Sequence, residues 1–365
     1  MAKKKMPSVI VTFQEKGISA IQRSERGILC MILNDETLAD LVNYTIYSVD
    51  DIPEEMTDAS KEQIKLALTG YQTSPRKVIV YNVKAKDSVV DYTDVLKVLE
   101  NVHFDWLVVP NITTEKATDI ASWVKSMRTK GKMIKAVLPN QKADFEGVVN
   151  FTNKVIKTAT KTYTTAEYCS RVAGIICGTP MIISCTYAPA PELIEVDNFT
   201  SDEMDEKVGN GEFFFFNDGE KIKVARGVNS FTTTIQGKGE DYQKIKLVDL
   251  LDMIHDDITK TGHDSYIGKY ANSYDNRCLL VTAINGYLHT LETEGLLEKG
   301  QNVASIDLTA TKNWLESNGL YTRDELEAMD EITLKQANIH DNVFIHVELS
   351  PLDAIENITV NCAVA

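Results

Sequence analysis

Lys77-Val78-Ile79-Val80-Tyr81-Asn82-Val83, Asp105-Trp106-Leu107-Val108-Val109 and Met133-Ile134-Lys135-Ala136-Val137-Leu138 are three nearly continuous apolar runs, each of strand length. Helical windows near 89–101 and 114–129 separate them, and Pro110, Gly131 and Pro139 punctuate the series. Outward toward the N-terminus, Ile28-Leu29-Cys30-Met31-Ile32-Leu33 is a fourth such run. A helical window over 58–69 follows it, behind a cap at Thr57 or Asp58. Strands that are apolar on both faces and alternate with helices predict an α/β fold, a parallel-rich sheet covered by helices on both sides.

Outward toward the C-terminus, a helix is expected near 164–177, capped by Thr164 or Thr165. Glu192 to Glu206 carries seven acids and no base, which predicts a solvated, partly helical excursion. Glu212–Phe216 and Lys221–Ala225 flank Asn217-Asp218-Gly219, a favourable hairpin turn. After residue 240 the pattern becomes α+β. Helix 243–260 has Ile245, Val248, Leu251, Ile254 and Ile258 on one stripe, and helix 273–293 has Tyr274, Cys278, Val281, Ile284, Leu288 and Leu291. A strand over 303–308, a helix near 310–318 and more helix over 323–337 precede two closing strands, 342–349 and 357–364. Two further strand-like runs, 8–13 and 18–22, open the chain.

Composition narrows the function. The 365 residues carry 53 acids against 38 bases, a net charge of −15, so neither a nucleic acid nor an anionic membrane is an expected partner. The most apolar stretch, Val172 to Ala188, is broken by Gly174, Gly178, Thr179, Pro180 and Ser184. Lys3-Lys4-Lys5 leads into Met6-Pro7-Ser8 rather than into an apolar segment, so no signal peptide is expected. Cys30, Cys169, Cys177, Cys185, Cys278 and Cys362 form no C-x-x-C pair and are expected to be buried, reduced thiols of a cytoplasmic product. The five Asn-x-Thr triplets are then chance matches.

Catalytic chemistry is not indicated. No P-loop and no G-x-S-x-G elbow occurs, and His255 and His263 miss the spacing of a helical metal pair. Asp249, Asp252 and Asp256 share a helix face and could take a divalent cation, but a solvated face opposite the apolar stripe is the expectation. The bases Lys125, Arg128, Lys130, Lys132 and Lys135 cluster where a helix ends and complement its dipole, with an anion site as the second reading. Gly174-x-x-x-Gly178 is read as close helix packing. The terminal strands carry the more pointed question. They pair within their own subunit, or they add to the sheet edge of a neighbour and so build a ring or filament.

Four stretches carry a resemblance to a family: Pro7-Ser8-Val9-Ile10-Val11-Thr12-Phe13 through Glu25-Arg26-Gly27-Ile28; Ser170-Arg171-Val172-Ala173-Gly174-Ile175-Ile176-Cys177-Gly178-Thr179-Pro180; Val224-Ala225-Arg226-Gly227-Val228-Asn229-Ser230; and Asn272-Ser273-Tyr274-Asp275-Asn276-Arg277. In this order they resemble the contractile tail sheath proteins of bacteriophages and of phage-tail-like R-type bacteriocins, in particular the compact sheaths of Gram-positive systems. The resemblance implies an α/β subtilisin-like domain, named for its fold and not for protease activity, with an α+β C-terminal sheath domain facing an inner tube. It divides the chain into an N-terminal arm (1–25), the subtilisin-like domain (26–230), the tube-facing domain (231–340) and a C-terminal strand arm (341–365).

It also implies a role. Subunits would polymerise as a helical stack of rings, six to a ring, and contract to drive the tube through a target envelope, with no cofactor or nucleotide. The tail tube protein, the baseplate and the tail terminator would be partners, in a virion tail or phage-tail-like particle assembled in the bacterial cytoplasm. Strand-donating arms fall on Val9, Ile10, Val11, Thr12, Phe13, Ile18 and Ala20, and on Val343, Phe344, Ile345, Val347, Ile358, Val360 and Cys362. Arg226, Gly227 and Asn229 mark a domain junction, and Lys312, Glu316, Arg323 and Asp324 the tube-facing surface. The alternatives are a baseplate or other tail structural protein, or a soluble α/β enzyme.

Overall fold

The computed structural model describes residues 20–86 and 89–364. The expected strand over 8–13 and Ile18 lie outside them. The described chain divides into two compact units, one of residues 23–257 with 351–364, the other of residues 20–22 with 258–350.

The larger unit is built on the strand–helix alternation. Its elements in order are β1 (Ile28–Leu33), β2 (Asn43–Ile46), α1 (Asp58–Leu68), β3 (Lys77–Asn82), α2 (Thr93–Leu99), β4 (Trp106–Val108), α3 (Thr114–Thr129), β5 (Lys135–Pro139), β6 (Val148–Phe151), β7 (Ile156–Thr158), α4 (Thr165–Cys177), β8 (Leu193–Val196), α5 (Ser201–Gly209), β9 (Glu212–Phe213), β10 (Phe215–Asn217), β11 (Ile222–Val224) and α6 (Ile245–Thr261), the last four residues of α6 belonging to the smaller unit. Seven strands form one sheet in the order β2-β3-β1-β4-β5-β6-β9. All neighbours run parallel except β2 on β3, so the sheet is mixed and mostly parallel.

The strand period of two explains the layers. Leu29, Met31, Val78, Val80, Val108, Val137 and Phe151 face one side, in a core with Ile64 and Ala67 of α1 and Val172 and Ile176 of α4. Ile28, Cys30, Ile32, Ile79, Leu107, Ala136 and Leu138 face the other, in a core with Val95 of α2 and Ile120 and Val124 of α3. Thr57 caps α1, and Thr164 with Glu167 forms a capping box on α4. Gly174 and Gly178 do lie at a close approach: a Cβ on Gly174 would stand 2.2 Å from the carbonyl oxygen of Ala67, and one on Gly178 2.1 Å from that of Thr73.

Two local expectations need correction. Glu212–Phe216 is not one hairpin strand. Glu212–Phe213 joins the main sheet beside β6, while Phe215–Asn217 pairs antiparallel with β11. Asn153 enforces the break, because its Oδ1 accepts the Phe215 N–H at 2.6 Å and its Nδ2 donates to the Phe215 carbonyl at 3.0 Å. The last stretch, 357–364, forms no strand, and neither does 20–22.

The smaller unit contains α7 (Tyr274–Thr293), β12 (Val303–Ile306), α8 (Leu308–Ser317), α9 (Arg323–Ala328), α10 (Glu331–Gln336) and β13 (Ile345–Glu348). β12 and β13 pair antiparallel, Val303 opposite Glu348 through Ile306 opposite Ile345. Leu315, Leu326, Leu334 and Ile339 form a small core to which Trp314 and Phe344 add.

Candidate assembly sites

Three polar constellations stand out, and each uses residues from the stretches singled out in the sequence. The first lies beneath α6. Asp249, Asp252 and Asp256 do share one face, but that face is not solvated. Lys135, fully buried on β5, places its Nζ 2.7 Å from Asp252 and 3.1 Å from Asp249. Arg128, at the end of α3, grips both oxygens of Asp252 at 2.8 Å. Arg26 donates to Asp105 at 2.6 Å, to Asp256 at 2.9 Å and to the Asp252 carbonyl at 2.9 Å. The other Asp105 oxygen accepts the N–H of Ile28 at the start of β1. Sequence reading missed this because the partners lie over a hundred residues apart; the signal available was Lys135, a base inside an apolar strand run.

The electrostatics follow from burial and pairing. Burial opposes charge on Lys135, but Asp252 and Asp249 outweigh it and raise the ammonium pKa. Burial likewise opposes charge on Asp252, and Lys135 with Arg128 overcomes it, holding the carboxyl low. Asp249 shares Lys135 with the better-placed Asp252, so burial prevails and its pKa is pushed up to about 6. Among the described residues, no group of three or more His, Cys, Asp or Glu is arranged to hold a metal ion.

The second constellation holds the C-terminal segment. Glu356 accepts from Arg226 at 2.8 Å and from Thr186 at 2.5 Å. Lys244 pairs with Asp353, and Lys246 donates to the Leu352 carbonyl. Thr186 also accepts the Gly227 N–H at 2.9 Å, so one hydroxyl ties the Arg226-Gly227 turn to the tail. Asn229, fully buried, donates to the Tyr242 carbonyl and accepts the Phe231 N–H. Beyond Glu356 the chain runs exposed, with Ile358 79% and Val360 74% accessible.

The third is the setting of β12 and β13. Ser273 caps α7, Asn272 donates to the carbonyls of His340 and Asn342, and Arg277 donates to those of Lys335 and Ala337. The Asn272–Arg277 motif is thus internal scaffolding that fixes the loop entering β13.

The remaining expected positions can be placed. Ala20 is exposed; Val343 is exposed and Phe344 half-buried just before β13; Ile345 and Val347 lie half-buried in the β12–β13 ladder. Glu316, Arg323 and Asp324 are exposed on α8 and α9, and Lys312 is half-buried. Cys362 is exposed, and Cys177 and Cys278 are only partly covered, unlike the buried Cys30, Cys169 and Cys185. None of the described helices is long and apolar enough to cross a membrane.

The fold is that of tail sheath subunits. A crystal structure of the sheath tail protein from Desulfitobacterium hafniense is similar with a TM-score of 0.71 at 20% identity, covering 82% of this chain and 94% of that one. The helical sheath of the anti-feeding prophage in its contracted state is similar with a TM-score of 0.71 at 14% identity, covering 99% of both chains. The sequence carries the assignment further. Residues 85–230 match the phage tail sheath protein central domain and 237–365 the phage tail sheath C-terminal domain. The tail sheath protein of Clostridium phage phiCD119 is 36% identical over 97% of this chain and 98% of its own length. The chain belongs to the phage tail sheath family. It is a contractile tail sheath subunit, a structural protein and not an enzyme.

Proposed function

We propose that copies of this chain polymerise as a helical stack of six-membered rings around an inner tail tube. Contraction of the stack drives the tube through the target cell envelope. The observation that carries this reading is the C-terminal segment: its root is clasped by Arg226 and Thr186, yet residues 357–364 extend exposed with no ladder partner among the described residues. Such a segment suits a strand donated to another subunit. Contacts of this kind join unlike surfaces and propagate into rings or helices.

The functional division is an N-terminal arm (1–25), a subtilisin-like domain (26–230), a tube-facing domain (231–340) and a C-terminal arm (341–365). Val9–Phe13, Ile18 and Ala20 serve the first arm; Ile358, Val360 and Cys362 serve the second, with Val343, Phe344, Ile345 and Val347 at its base. Arg226, Gly227 and Asn229 form the junction from which the second arm departs. Lys312, Glu316, Arg323 and Asp324 face the tube, where exposed, salt-screened pairs suit a contact that must release. The tail tube, baseplate and terminator proteins are the partners, in a phage tail or phage-like particle.

The energy for contraction resides in the lattice, because the extended form is metastable and the contracted form buries more interface. Continuous arms keep neighbours at high effective concentration while bodies exchange contacts. Negative-stain electron microscopy of the concentrated protein, alone and with tube protein, tests the reading. Hollow striated cylinders are expected, and uniform monomers in both preparations refute self-assembly.

A further inference from the structure

Both terminal segments are rooted on one helix. Between Ser24 and Arg26 the incoming chain is tied to the second half of α6. The Ser24 N–H donates to the fully buried Asp257 at 2.6 Å, and Arg26 donates to Asp256 and to the Asp252 carbonyl, each at 2.9 Å. The outgoing chain is tied to the start of the same helix. Lys244 pairs with Asp353, and Lys246 donates to the Leu352 carbonyl. Arg226, which holds Glu356, belongs to a turn whose Gly227 carbonyl accepts the N–H of Ile245, the first residue of α6, at 3.0 Å. From Ile245 to Asp257 the helix spans about 20 Å.

Two features exceed what merely laying down a tail requires. Lys246 is buried, and burial pulls its pKa down although Asp353 and Glu356 oppose the fall; its ammonium serves a main-chain carbonyl. A desolvated cation on a neutral acceptor returns little stability. α6 is also fastened sideways, by Arg128 and Lys135 on Asp252, which resists sliding along its axis.

The order of the chain gives these ties a consequence. Residues 258–350, the smaller unit, follow α6 and precede the tied segment 351–356. A pull on residues 357–364 therefore reaches α6, through Lys246, Lys244 and Arg226, before it reaches the smaller unit. In series with the pull, that unit would yield early. Its sheet has two strands and its helices α8 to α10 share a core of four buried residues, and local opening is easiest where few apolar groups are buried.

Resting on the sheath reading above, we propose that α6 is the tension member of the subunit. Pull between neighbouring copies enters at one terminal segment, passes along α6 and leaves at the other. Lys244, Lys246 and Glu356 are the positioning residues that route it around the smaller unit.

The test pulls the full chain between peptide tags at its two ends in optical tweezers. Wild type should yield in the larger unit first, or in both units at once. Lys246→Met keeps the buried stem and removes the donor. Its first event should be the release of residues 258–350 alone, a step of roughly 300–330 Å of extended chain, at no more than half the wild-type force. The double variant Lys244→Gln with Glu356→Gln keeps side-chain size and hydrogen-bonding groups, and should do the same if circular dichroism shows Lys246→Met to be misfolded. A wild-type chain whose smaller unit unfolds alone and first overturns the proposal. So do variants that melt at a lower temperature yet unfold in the wild-type order, as a merely structural clasp would. Assembly separates this from the sheath reading. Variant cylinders should form, then break under shear to lengths at least 5-fold shorter than wild type; equal lengths overturn the routing. Early release of the smaller unit in the variants alone, with no cylinders from any chain, would uphold the routing through α6 and refute the sheath lattice.

Discussion

Replacing Asp249 with Asn should stabilise the protein above neutral pH, although it deletes one member of an ion pair. Asp249 lies 3.1 Å from Lys135, whose closer contact, 2.7 Å, goes to Asp252. Burial lifts the Asp249 pKa from 3.8 to about 6; Lys135 works against the rise, and Asp252 and Asp105 add to it. A carboxyl whose pKa is raised on folding holds its proton more tightly in the folded state. Its favourable contribution is complete below the unfolded value of 3.8 and is lost as pH rises through about 6. The shift corresponds to about 3 kcal/mol between the two limits. Asparagine keeps the shape and removes the charge, at a cost of about 1 kcal/mol for the weakened hydrogen bond to Lys135. The net gain at pH 8 is then roughly 1–2 kcal/mol, declining as pH falls below about 6. Urea unfolding of wild type and Asp249→Asn at several pH values, followed by tryptophan fluorescence, measures the difference directly, and other titrating groups cancel in it. A variant less stable than wild type at pH 8, by a margin that does not change with pH, would refute the account of the buried cluster.

Other outcomes follow from the same contacts. Asp252→Ala leaves Arg128 and Lys135 buried without their shared carboxylate, and should cost about 3–5 kcal/mol in the same unfolding assay. Gly174→Ala forces a methyl to within 2.2 Å of the Ala67 carbonyl oxygen, where backbone rather than a flexible side chain must yield. It should destabilise by about 1–3 kcal/mol or more, seen as a lower melting temperature. Glu356→Gln removes the charge partner of Arg226 but keeps one carbonyl oxygen as acceptor for Thr186. Global stability should change by about 1 kcal/mol or less, while hydrogen exchange over 352–357 accelerates; unchanged exchange there would remove Glu356 as the fastening of the tail.

The fold was legible where one physical signal dominated. β1 and α3 occur at the expected residues, and α1, β3, α4 and α7 within one or two, because continuous apolar strands and capped amphipathic helices declare themselves locally. The division of 212–217 between two sheets was not legible, since the deciding group is the side chain of Asn153, some sixty residues away. The carboxylates of α6 were misjudged for a related reason. A period of 3.6 tells which residues share a face, but not what that face meets, and here it meets Arg26, Arg128 and Lys135. The motif residues were visible as a pattern before their work was. Arg26, Arg226 and Arg277 each prove to fasten a distant segment, to Asp105 and Asp256, to Glu356, and to the carbonyls of Lys335 and Ala337.

That distribution of charge bears on how an acidic subunit can self-assemble. Two chains of net charge −15 repel at long range, so contacts between them must be short-ranged, screened or uncharged. Several of the ion pairs that could have linked neighbours are instead spent inside the subunit, on α6 and on the root of the tail. What extends past that root is a run of eight residues without a charge, from Asn357 to Val364. Backbone pairing is indifferent to net charge and to salt, whereas exposed ion pairs are screened. A sheath joined through such segments should therefore keep its subunits linked as ionic strength rises, even where charged contacts between bodies or to a tube weaken. Sedimentation of assembled sheath across a salt series would show this as persistence of the polymer after tube protein has dissociated; dissolution of the polymer before loss of the tube would place the linking energy in charged contacts instead.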